Sequence, residues 1–393
     1  MGPLTDIRVL DLTRVLAGPY ATMILADLGA EVIKIEQPGS GDDSRAYGPY
    51  QNGESGYFMS LNRNKESLTL NLKAPEAKEI FKELVRHVDV VVENFRPGTM
   101  ERFGLGYEVL KELNPALIYA ASTGYGQTGP YSQRPAYDGV VQALGGIMSI
   151  TGEENGRPTR VGPSIGDVAA GLFTAIGILA ALHERESSGL GQMVDVSMLD
   201  CQVAILENAI SRYELTGKVP KPIGNRHPSI VPFEPFDTQS IPLMLAIGND
   251  KLWQTFCKLT NASFSDDPRF ATNPQRSDNY ASLRPLLAEL MLTKTAEEWQ
   301  EAFDAAGIPN GPINTIDKVV ANQQVLAREM IVEVDHPTAG ITKMPGVPTK
   351  LSRTPGSIRK AAPILGEDTE AILAKFLGLD EEAVAALRAK DVI

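Results

Sequence analysis

The stretch that decides the fold is residues 7–36, which reads IRVLDLTRVLAGPYATMILADLGAEVIKIE. Residues 7–12 and 31–36 are rich in aliphatic and β-branched side chains, as buried strands are, and residues 20–28 between them show the spacing of a helix. A strand, a helix and a second strand in this order form a βαβ unit. This unit predicts two parallel strands joined by a helical crossover.

The same alternation continues along the chain. A helix is predicted over residues 75–86, with proline at its first position where no N–H is needed, and it leads into an apolar strand at 88–92. A further helix at 107–113 leads into a strand at 117–122. Repeated βαβ units predict an α/β fold, with a mostly parallel sheet covered by helices.

Ligands of such sheets bind beyond the carboxyl ends of the strands, so the segments that come directly after the strands are the candidate binding segments. These are residues 13–18, 37–41, 94–98 and 123–130. The turn after the first strand, TRVLAGP, is not a G-x-G-x-x-G turn, and the chain contains no P-loop. The sequence therefore disfavours NAD or FAD chemistry and the simplest route to ATP chemistry.

The composition of the chain changes near residue 217, where a proline-rich stretch, KVPKPIGNRHPSIVPFEPF, begins. We predict a large ligand-binding domain over residues 1–215 and a smaller α+β domain over 216–325. Residues 326–393 are expected to return to the large domain and to end in an amphipathic helix near 368–377. At 393 residues the chain is long enough for two cores.

The charge and composition narrow the class of protein. With 37 basic and 49 acidic residues the net charge is -12, which disfavours nucleic acid and anionic membranes as partners. The longest apolar stretch, residues 169–182, is shorter than a membrane span and predicts a core helix. No secretory signal pattern opens the chain, and the two cysteines have no metal-ligand spacing. We expect a cytoplasmic protein with no metal site.

Asp167 is the candidate catalytic residue. It lies in SIGDVAAGLFTAIGILAALHER, in the first turn of a helix that is apolar on nearly all sides and therefore expected to be buried. One interpretation is that this aspartate caps the helix. The other is that it is a carboxylate nucleophile, kept ionised by the helix dipole and by backbone N–H groups yet partly desolvated.

Several ordered segments resemble signatures of the family III CoA-transferases, the family of formyl-CoA and carnitine CoA-transferases. They are residues 9–45, 61–72, 92–108, 124–138, the Asp167 helix, 224–229 and 307–314. Within the family, the chain resembles the members that use succinate and hydroxymethylglutarate. The resemblance implies a Rossmann-like large domain that binds CoA, a small domain, an interlaced homodimer, and acyl-CoA and small carboxylic acids as substrates with no required cofactor.

The resemblance also assigns residues by position. Asp167 matches the aspartate that is acylated, and Tyr137 matches a residue near the thioester. The matching CoA contacts are Leu16, Ala17, Leu70, Asn71, Leu72, Lys73, Asn94, Phe95, Arg96 and Arg102. Lys34 and Lys73 are expected to add positive charge for the CoA phosphates. Each has an ordinary alternative: Arg102 as a solvated surface charge, Asn94 as a turn residue, Tyr137 as a core aromatic, and the lysines as strand-edge residues.

Two departures from formyl-CoA transferase bear on specificity. That enzyme has an arginine where this chain has Gln37, so one contact to CoA is either missing or supplied by another residue, with Lys34 and Arg45 as the candidates. It also has a glycine run where residues 226–232 read RHPSIVP, which makes formyl or oxalate specificity doubtful. Here Arg226 or His227 binds an acceptor carboxylate, or His227 is only a turn residue.

The resemblance implies transfer through an aspartyl anhydride and an aspartyl-CoA thioester, with backbone N–H groups near Gly126 or in the small-domain loop stabilising the oxyanion. Two alternatives stay open. A 2-methylacyl-CoA racemase of the same fold needs a histidine in a G-H-D block that aligns with residues 136–138, where Tyr137 stands. A CoA-binding protein without turnover is the other. The likeness to succinyl-transferring members favours a dicarboxylic donor.

Overall fold

The computed structural model describes residues 2–393, and these divide into two compact units. The larger unit comprises the described residues up to Met148, together with Arg160–Lys218 and Gln323–Ile393. The smaller unit comprises Ser149–Thr159 and Val219–Asn322. The sequence prediction put the borders at residues 215 and 325, and it did not assign Ser149–Thr159 to the smaller unit.

The strands, in chain order, are β1 (Arg8–Asp11), β2 (Glu31–Glu36), β3 (Tyr50–Gln51), β4 (Glu54–Ser55), β5 (Lys65–Thr69), β6 (Val90–Glu93), β7 (Ile118–Thr123), β8 (Met193–Ser197), β9 (Phe233–Phe236), β10 (Leu243–Ala246), β11 (Asn310–Pro312), β12 (Ile331–His336) and β13 (Gly340–Pro345). The helices are α1 (Ala17–Asp27), α2 (Gly56–Asn62), α3 (Pro75–Val85), α4 (Thr99–Phe103), α5 (Tyr107–Leu113), α6 (Asp138–Leu144), α7 (Ile147–Ile150), α8 (Ile165–Ser188), α9 (Met198–Ala204), α10 (Ala209–Thr216), α11 (Asp250–Thr260), α12 (Asn273–Asp278), α13 (Tyr280–Met291), α14 (Ala296–Ala306), α15 (Ile316–Val320), α16 (Gln323–Ala327), α17 (Thr369–Leu377) and α18 (Glu381–Ala389).

The central sheet of the larger unit has six strands in the order β5-β2-β1-β6-β7-β8, and all of its pairings are parallel. The predicted α/β fold with a parallel sheet is confirmed. The chain builds outward from β1 through β2 to β5, and then resumes at β6 on the other side of β1. The strand order therefore reverses between β1 and β6, and a crevice opens beyond their carboxyl ends.

Both faces of the sheet are buried, as the apolar run VVV of the central strand β6 shows. In β6, Val91 packs into one core with α3 and α17, while Val90 and Val92 pack into a second core with α1 and α8. Successive side chains of a strand point to opposite faces, so VVV fills both cores. This double burial fixes the register and holds the ends of β1 and β6 in place.

The sequence prediction missed the two outer strands, β5 and β8. They read KESLT and MVDVS, and the polar side chains in both weaken the apolar signal on which strands are recognised. The predicted last helix near 368–377 is α17, but it is not the last, because α18 comes after it. The section 337–363 also contains an unpredicted strand, β13, which pairs antiparallel with β12.

The helix that carries Asp167, α8, differs from the expected buried core helix. Leu172, Phe173 and Ile176 lie on one face of it and are 44%, 38% and 58% exposed. By length and composition alone α8 could cross a membrane, and half of its most apolar 18-residue window is buried inside the described structure. Its other face packs against α1, with Ala170 and Ile178 fully buried.

The smaller unit is an antiparallel sheet, β11-β10-β9, covered by α11–α14. Stacked rings form its core: Trp253 lies 5.7 Å from Phe256, and Trp299 lies 5.1 Å from Phe303. Arg276 is fully buried in this core, where its guanidinium donates to the Val231 carbonyl at 2.7 Å. The aromatic core makes this unit compact in its own right.

Candidate active site

The turn between β1 and α1 lies at the switch point of the sheet and is held by side chains from other segments. Val15 has a φ of 69°, a left-handed conformation that costs a β-branched residue about 1–3 kcal/mol. Asn94 holds the Arg14 backbone from both sides: its Oδ1 accepts the Arg14 N–H at 2.9 Å, and its Nδ2 donates to the Arg14 carbonyl at 2.8 Å. Asp42 accepts the Val15 N–H at 3.0 Å.

Lys34 lies beneath this turn and is fully buried. Its ammonium pairs with Asp42 at 2.8 Å and donates to the Thr13 carbonyl at 2.7 Å. Burial alone would lower the pKa of Lys34, but the charges of Asp42 and Asp11 raise it above its ordinary value. The expected contact between this ammonium and a CoA phosphate does not fit the geometry, because the charge is buried and already paired.

Arg45 was the other residue expected to compensate for glutamine at position 37, and it is also occupied. Its guanidinium pairs with Glu36 at 2.7 Å, donates to the Pro363 carbonyl at 3.1 Å, and stacks over the Phe58 ring at 3.7 Å. The compensation expected from the sequence therefore does not fit. Gln37 itself borders a cavity beyond the end of β2.

Two adjoining cavities open at the switch point. The first, of about 350 Å³, lies beyond β1, β2 and β5, and its lining includes the predicted contacts Lys34, Leu70, Leu72, Lys73 and Phe95. The second, of about 440 Å³, lies beyond β1, β6 and β7, and its lining includes the predicted residues Leu16, Ala17, Asn94, Phe95, Arg96, Tyr137 and Asp167. Arg14, Asp43, Phe95 and Thr99 border both. Residues predicted from distant parts of the chain therefore meet at one site.

Asp167 lies in the second cavity, partly exposed, at the third position of α8. The N-cap residue of this helix is Ser164, so the interpretation of Asp167 as the cap is wrong. Burial, followed by the charge of Asp138, raises the pKa of Asp167 from 3.8 to about 7. The sequence suggested that the helix dipole keeps this carboxylate ionised, but its pKa moves in the opposite direction, because burial favours the protonated form.

Asp138 fixes the beginning of α8. Its Oδ1 accepts the Gly166 N–H at 2.9 Å, and its Oδ2 accepts from Gln142 at 2.8 Å. Arg160 approaches the same oxygen at 3.5 Å. Because Gly166 precedes Asp167 directly, the Asp138 carboxylate both holds the backbone beside Asp167 and places a negative charge near its side chain.

Aromatic side chains lie in the neighbourhood of Asp167. Tyr137 is 74% exposed and borders the cavity, so it is not the core aromatic that the sequence left open. Tyr57 was not predicted; burial and then the charge of Asp167 raise its pKa to about 12. Arg134, which borders the cavity and stacks over Tyr131 at 3.8 Å, was also missed. Only the grouping of the strand ends in space could have drawn attention to these residues.

Two predicted CoA contacts lie outside the lining of both cavities. Asn71 is occupied at the chain terminus, where its backbone donates to the Val392 carbonyl and its side chain to the Asp391 carbonyl. Arg102, on α4, reaches Thr99 at 2.9 Å and is near the shared wall of the cavities. The exposed guanidinium of Arg102 leaves it available to a phosphate, whereas Asn71 has a structural role.

The predicted substrate residues Arg226 and His227 lie in the smaller unit. Arg226 pairs with Glu154 at 2.9 Å and stacks over Tyr280, while His227 Nδ1 accepts the Ser229 N–H at 3.1 Å. Both contacts are local to that unit. The expected oxyanion donor near Gly126 does not fit, because the Gly126 N–H already donates to Thr123 at 3.0 Å.

Free backbone donors occur instead at the start of α1. Leu16 occupies the N-cap position, but its side chain has no oxygen that could accept a hydrogen bond. The first N–H groups of this helix therefore have no capping side chain. Leu16 and Ala17 border the same cavity as Asp167. Among the described residues, no group of three or more His, Cys, Asp or Glu side chains could hold a metal ion.

Comparison with known proteins agrees with this arrangement. A sequence model described as CoA-transferase family III matches residues 4–369. The chain belongs to this family. It is therefore an enzyme of the CoA-transferase type, which acts on CoA thioesters and carboxylates. The resemblance drawn from the sequence motifs is confirmed.

Individual relatives cover almost the whole chain. A succinyl-CoA:glutarate CoA-transferase of Mus musculus is 43% identical, covering 100% of this chain and 91% of that protein. An acetyl-CoA:oxalate CoA-transferase of Acetobacter aceti is 44% identical, covering 95% and 96%. The crystal structure of a CAIB/BAIF family protein from Brucella suis superposes with a TM-score of 0.85 at 37% identity, covering 95% and 99%.

Proposed function

We propose that this family III CoA-transferase moves CoA from a dicarboxylic acyl-CoA donor to a free carboxylic acid, with Asp167 as the covalent nucleophile. The observation that carries the proposal is the place of Asp167: partly desolvated, in the cavity that the uncapped start of α1 also borders. A carboxylate and backbone donors are the two groups that attack on a thioester requires.

In the first step an Asp167 oxygen attacks the thioester carbonyl carbon of the donor. The carbon–sulfur bond breaks, the electron pair leaves on sulfur as CoA thiolate, and a mixed anhydride forms. The thiolate then attacks the Asp167 carbonyl carbon, which releases the donor acid and leaves an aspartyl-CoA thioester. The acceptor carboxylate reverses both steps, so that acyl-CoA leaves and Asp167 is restored.

The raised pKa of Asp167 suits this role. A carboxylate that water stabilises poorly is a stronger base and nucleophile than an exposed one. With a pKa of about 7 the group is still largely ionised at slightly alkaline pH. Desolvation therefore increases the reactivity of the ionised form, which is the larger fraction above about pH 7.

The CoA phosphates need local positive charge in a chain of net charge -12. Lys73 in the first cavity, Arg96 in the second, and Arg102 beside them supply it. Lys34 contributes only through the buried ion pair under the turn. We infer that the nucleotide end of CoA occupies the first cavity and the thioester the second.

A dicarboxylic substrate is supported by arginine side chains in the lining of the cavity that contains Asp167. Arg96 and Arg134 border this second cavity, as does Arg14, which also pairs with Asp43 at 3.2 Å. A second, unreacted carboxylate of the substrate would pair with one of them. The name of the Mus musculus relative contains succinyl-CoA and glutarate, a dicarboxylic pair, and that of the Acetobacter aceti relative combines acetyl-CoA with the dicarboxylic acid oxalate.

A homodimer is the assembly that we propose. The outer face of α8 exposes Leu172, Phe173 and Ile176 next to one another, and an apolar helix face of this kind is typical of an interface. A second copy of the chain would cover it. Sedimentation of the parent protein and of an Ile176→Glu variant tests this: we expect a dimer that the variant dissociates, and a monomeric parent would contradict it.

The function is tested by incubating the enzyme with succinyl-, glutaryl- or acetyl-CoA and a panel of free acids, and resolving the CoA products by liquid chromatography. We expect transfer to a dicarboxylic acid, and acyl or CoA mass on the Asp167 peptide after trapping. Transfer that persists in Asp167→Ala would refute the covalent route. Exchange of α-deuterium from a 2-methylacyl-CoA without an acceptor acid would point to racemisation instead.

A further inference from the structure

We propose that Asp42, acting with Lys34, and Asn94 are positioning residues of the proposed transferase site: they hold the Thr13–Val15 turn in its strained conformation. The inference rests on the proposed function only where it is tested by transferase kinetics. It assigns to Asn94 a different role from the CoA contact expected from the sequence.

The turn is tied at each of its peptide groups. Asp11 accepts the Thr13 N–H at 2.9 Å, and Lys34 donates to the Thr13 carbonyl at 2.7 Å. Asn94 binds both the N–H and the carbonyl of Arg14, and Asp42 accepts the Val15 N–H. These five bonds come from side chains, so none of them is part of the sheet or of α1.

The conformation needs this support because Val15 has a φ of 69°. A left-handed valine places its branched Cβ against the neighbouring carbonyl, and the surroundings must outweigh that cost. The side chains of Asp42 and Lys34 form a fully buried ion pair. The Val15 N–H therefore donates to a carboxylate that is held in place. Burial alone would raise the pKa of Asp42, but the Lys34 ammonium lowers it, which keeps the acceptor charged.

The turn matters to catalysis because it leads directly into the start of α1. Leu16 and Ala17 begin this helix without a side-chain cap and border the cavity that contains Asp167. If the turn relaxed, the cavity wall would move while the sheet and α1 stayed folded. A small displacement of this kind is enough to reduce the rate of an oriented reaction.

The test is a double-mutant cycle between Asp42→Asn and Val15→Gly. Asparagine is nearly isosteric and removes the charge, while glycine adopts a φ near 69° without steric cost. We expect Asp42→Asn to lower kcat/KM for acyl-CoA by about tenfold or more, and to lower it several-fold less when residue 15 is glycine. An effect of equal size in both backgrounds would overturn the proposal, because it would show that Asp42 does not act through the strained turn.

Hydrogen exchange gives a readout that does not require activity. Amides of residues 14–17 should exchange about tenfold faster in Asp42→Asn, and this increase should be reduced with Gly at position 15. Unchanged exchange there would refute the positioning role even if no transferase activity were found. If the parent protein shows no transferase activity but the hydrogen exchange of residues 14–17 changes as expected, only the proposed function is contradicted.

The matched control is Asp27→Asn, which breaks another buried ion pair of the same unit, with Arg63 at 2.7 Å. It should lower thermal stability and leave both KM and the exchange of residues 14–17 unchanged. If Asp42→Asn does not fold, Asn94→Asp takes its place in the cycle. Asn94 is partly exposed, and its replacement by aspartate removes the donor to the Arg14 carbonyl. Its effect must likewise depend on residue 15, and independence would overturn the inference.

Discussion

Replacing Asp167 by asparagine should make the protein more stable at alkaline pH while abolishing transfer. Burial and then Asp138 raise the pKa of Asp167 from 3.8 to about 7. A carboxyl group whose pKa is higher in the folded state takes up a proton on folding. The contribution of this group to the free energy of unfolding is most favourable below about pH 4. It is lost progressively as the pH rises from about 4 through about 7. Asparagine resembles the protonated form and does not suffer this loss.

The magnitude can be worked out from the shift. The pKa values of 3.8 and about 7 correspond to at most about 4 kcal/mol of destabilisation by the ionised group at pH 8, and to less than about 2 kcal/mol at pH 5. The partial exposure of Asp167 reduces these upper bounds. The free energy of unfolding of Asp167→Asn should therefore exceed that of the parent by an amount that grows with pH.

Urea unfolding at pH 5, 6, 7 and 8 measures this difference, at one protein concentration because assembly affects apparent stability. Asp200→Asn, which removes an exposed carboxylate, is the control and should change stability by no more than about 0.5 kcal/mol. A difference between Asp167→Asn and the parent that is zero at pH 8, or constant with pH, would show that Asp167 is not desolvated in the folded protein.

Four further predictions concern the surroundings of the site. Asp138→Asn should move the acidic limb of the kcat/KM profile to lower pH by about one unit or less, because it removes the second cause of the Asp167 shift, as a pH–rate series would show. Tyr137→Phe should lower kcat at constant KM and leave the urea midpoint unchanged, since Tyr137 is 74% exposed; a lower midpoint would contradict this. Arg102→Ala should raise KM for acyl-CoA about tenfold with kcat nearly constant, measured by steady-state kinetics. Arg276→Met should destabilise the smaller unit by about 3 kcal/mol in calorimetry, because the Val231 carbonyl and Asp250 lose their buried donor.

The parallel sheet could be predicted because its central strands are apolar and alternate with helices. β2 and α5 were located to the residue, and in EVIKIE the β-branched residues Val32, Ile33 and Ile35 mark the strand. The outer strands β5 and β8 were missed because polar residues interrupt them. The sequence pattern identifies a strand best where both of its faces are buried. It identifies a strand poorly where only some of the side chains are buried.

The site residues could be predicted as a group but not by role. The family motifs identified Asp167 and the segments that meet beside it, since strand ends converge at the switch point. They could not show that Lys34 is sealed beneath the turn or that Asn94 faces Arg14, because these depend on which way a side chain points. Tyr57 and Arg134 carried no local signal that distinguishes them from other surface residues.

One helix, α8, carries Asp167 near its start and three exposed apolar side chains roughly one and a half to two and a half turns later. Asp167 and Ile176 are nine positions apart, roughly 14 Å along the axis. If a second subunit covers those side chains, dissociation would loosen the support of the helix that presents the carboxylate. Specific activity should then fall on dilution, so that turnover reports how many subunits remain joined.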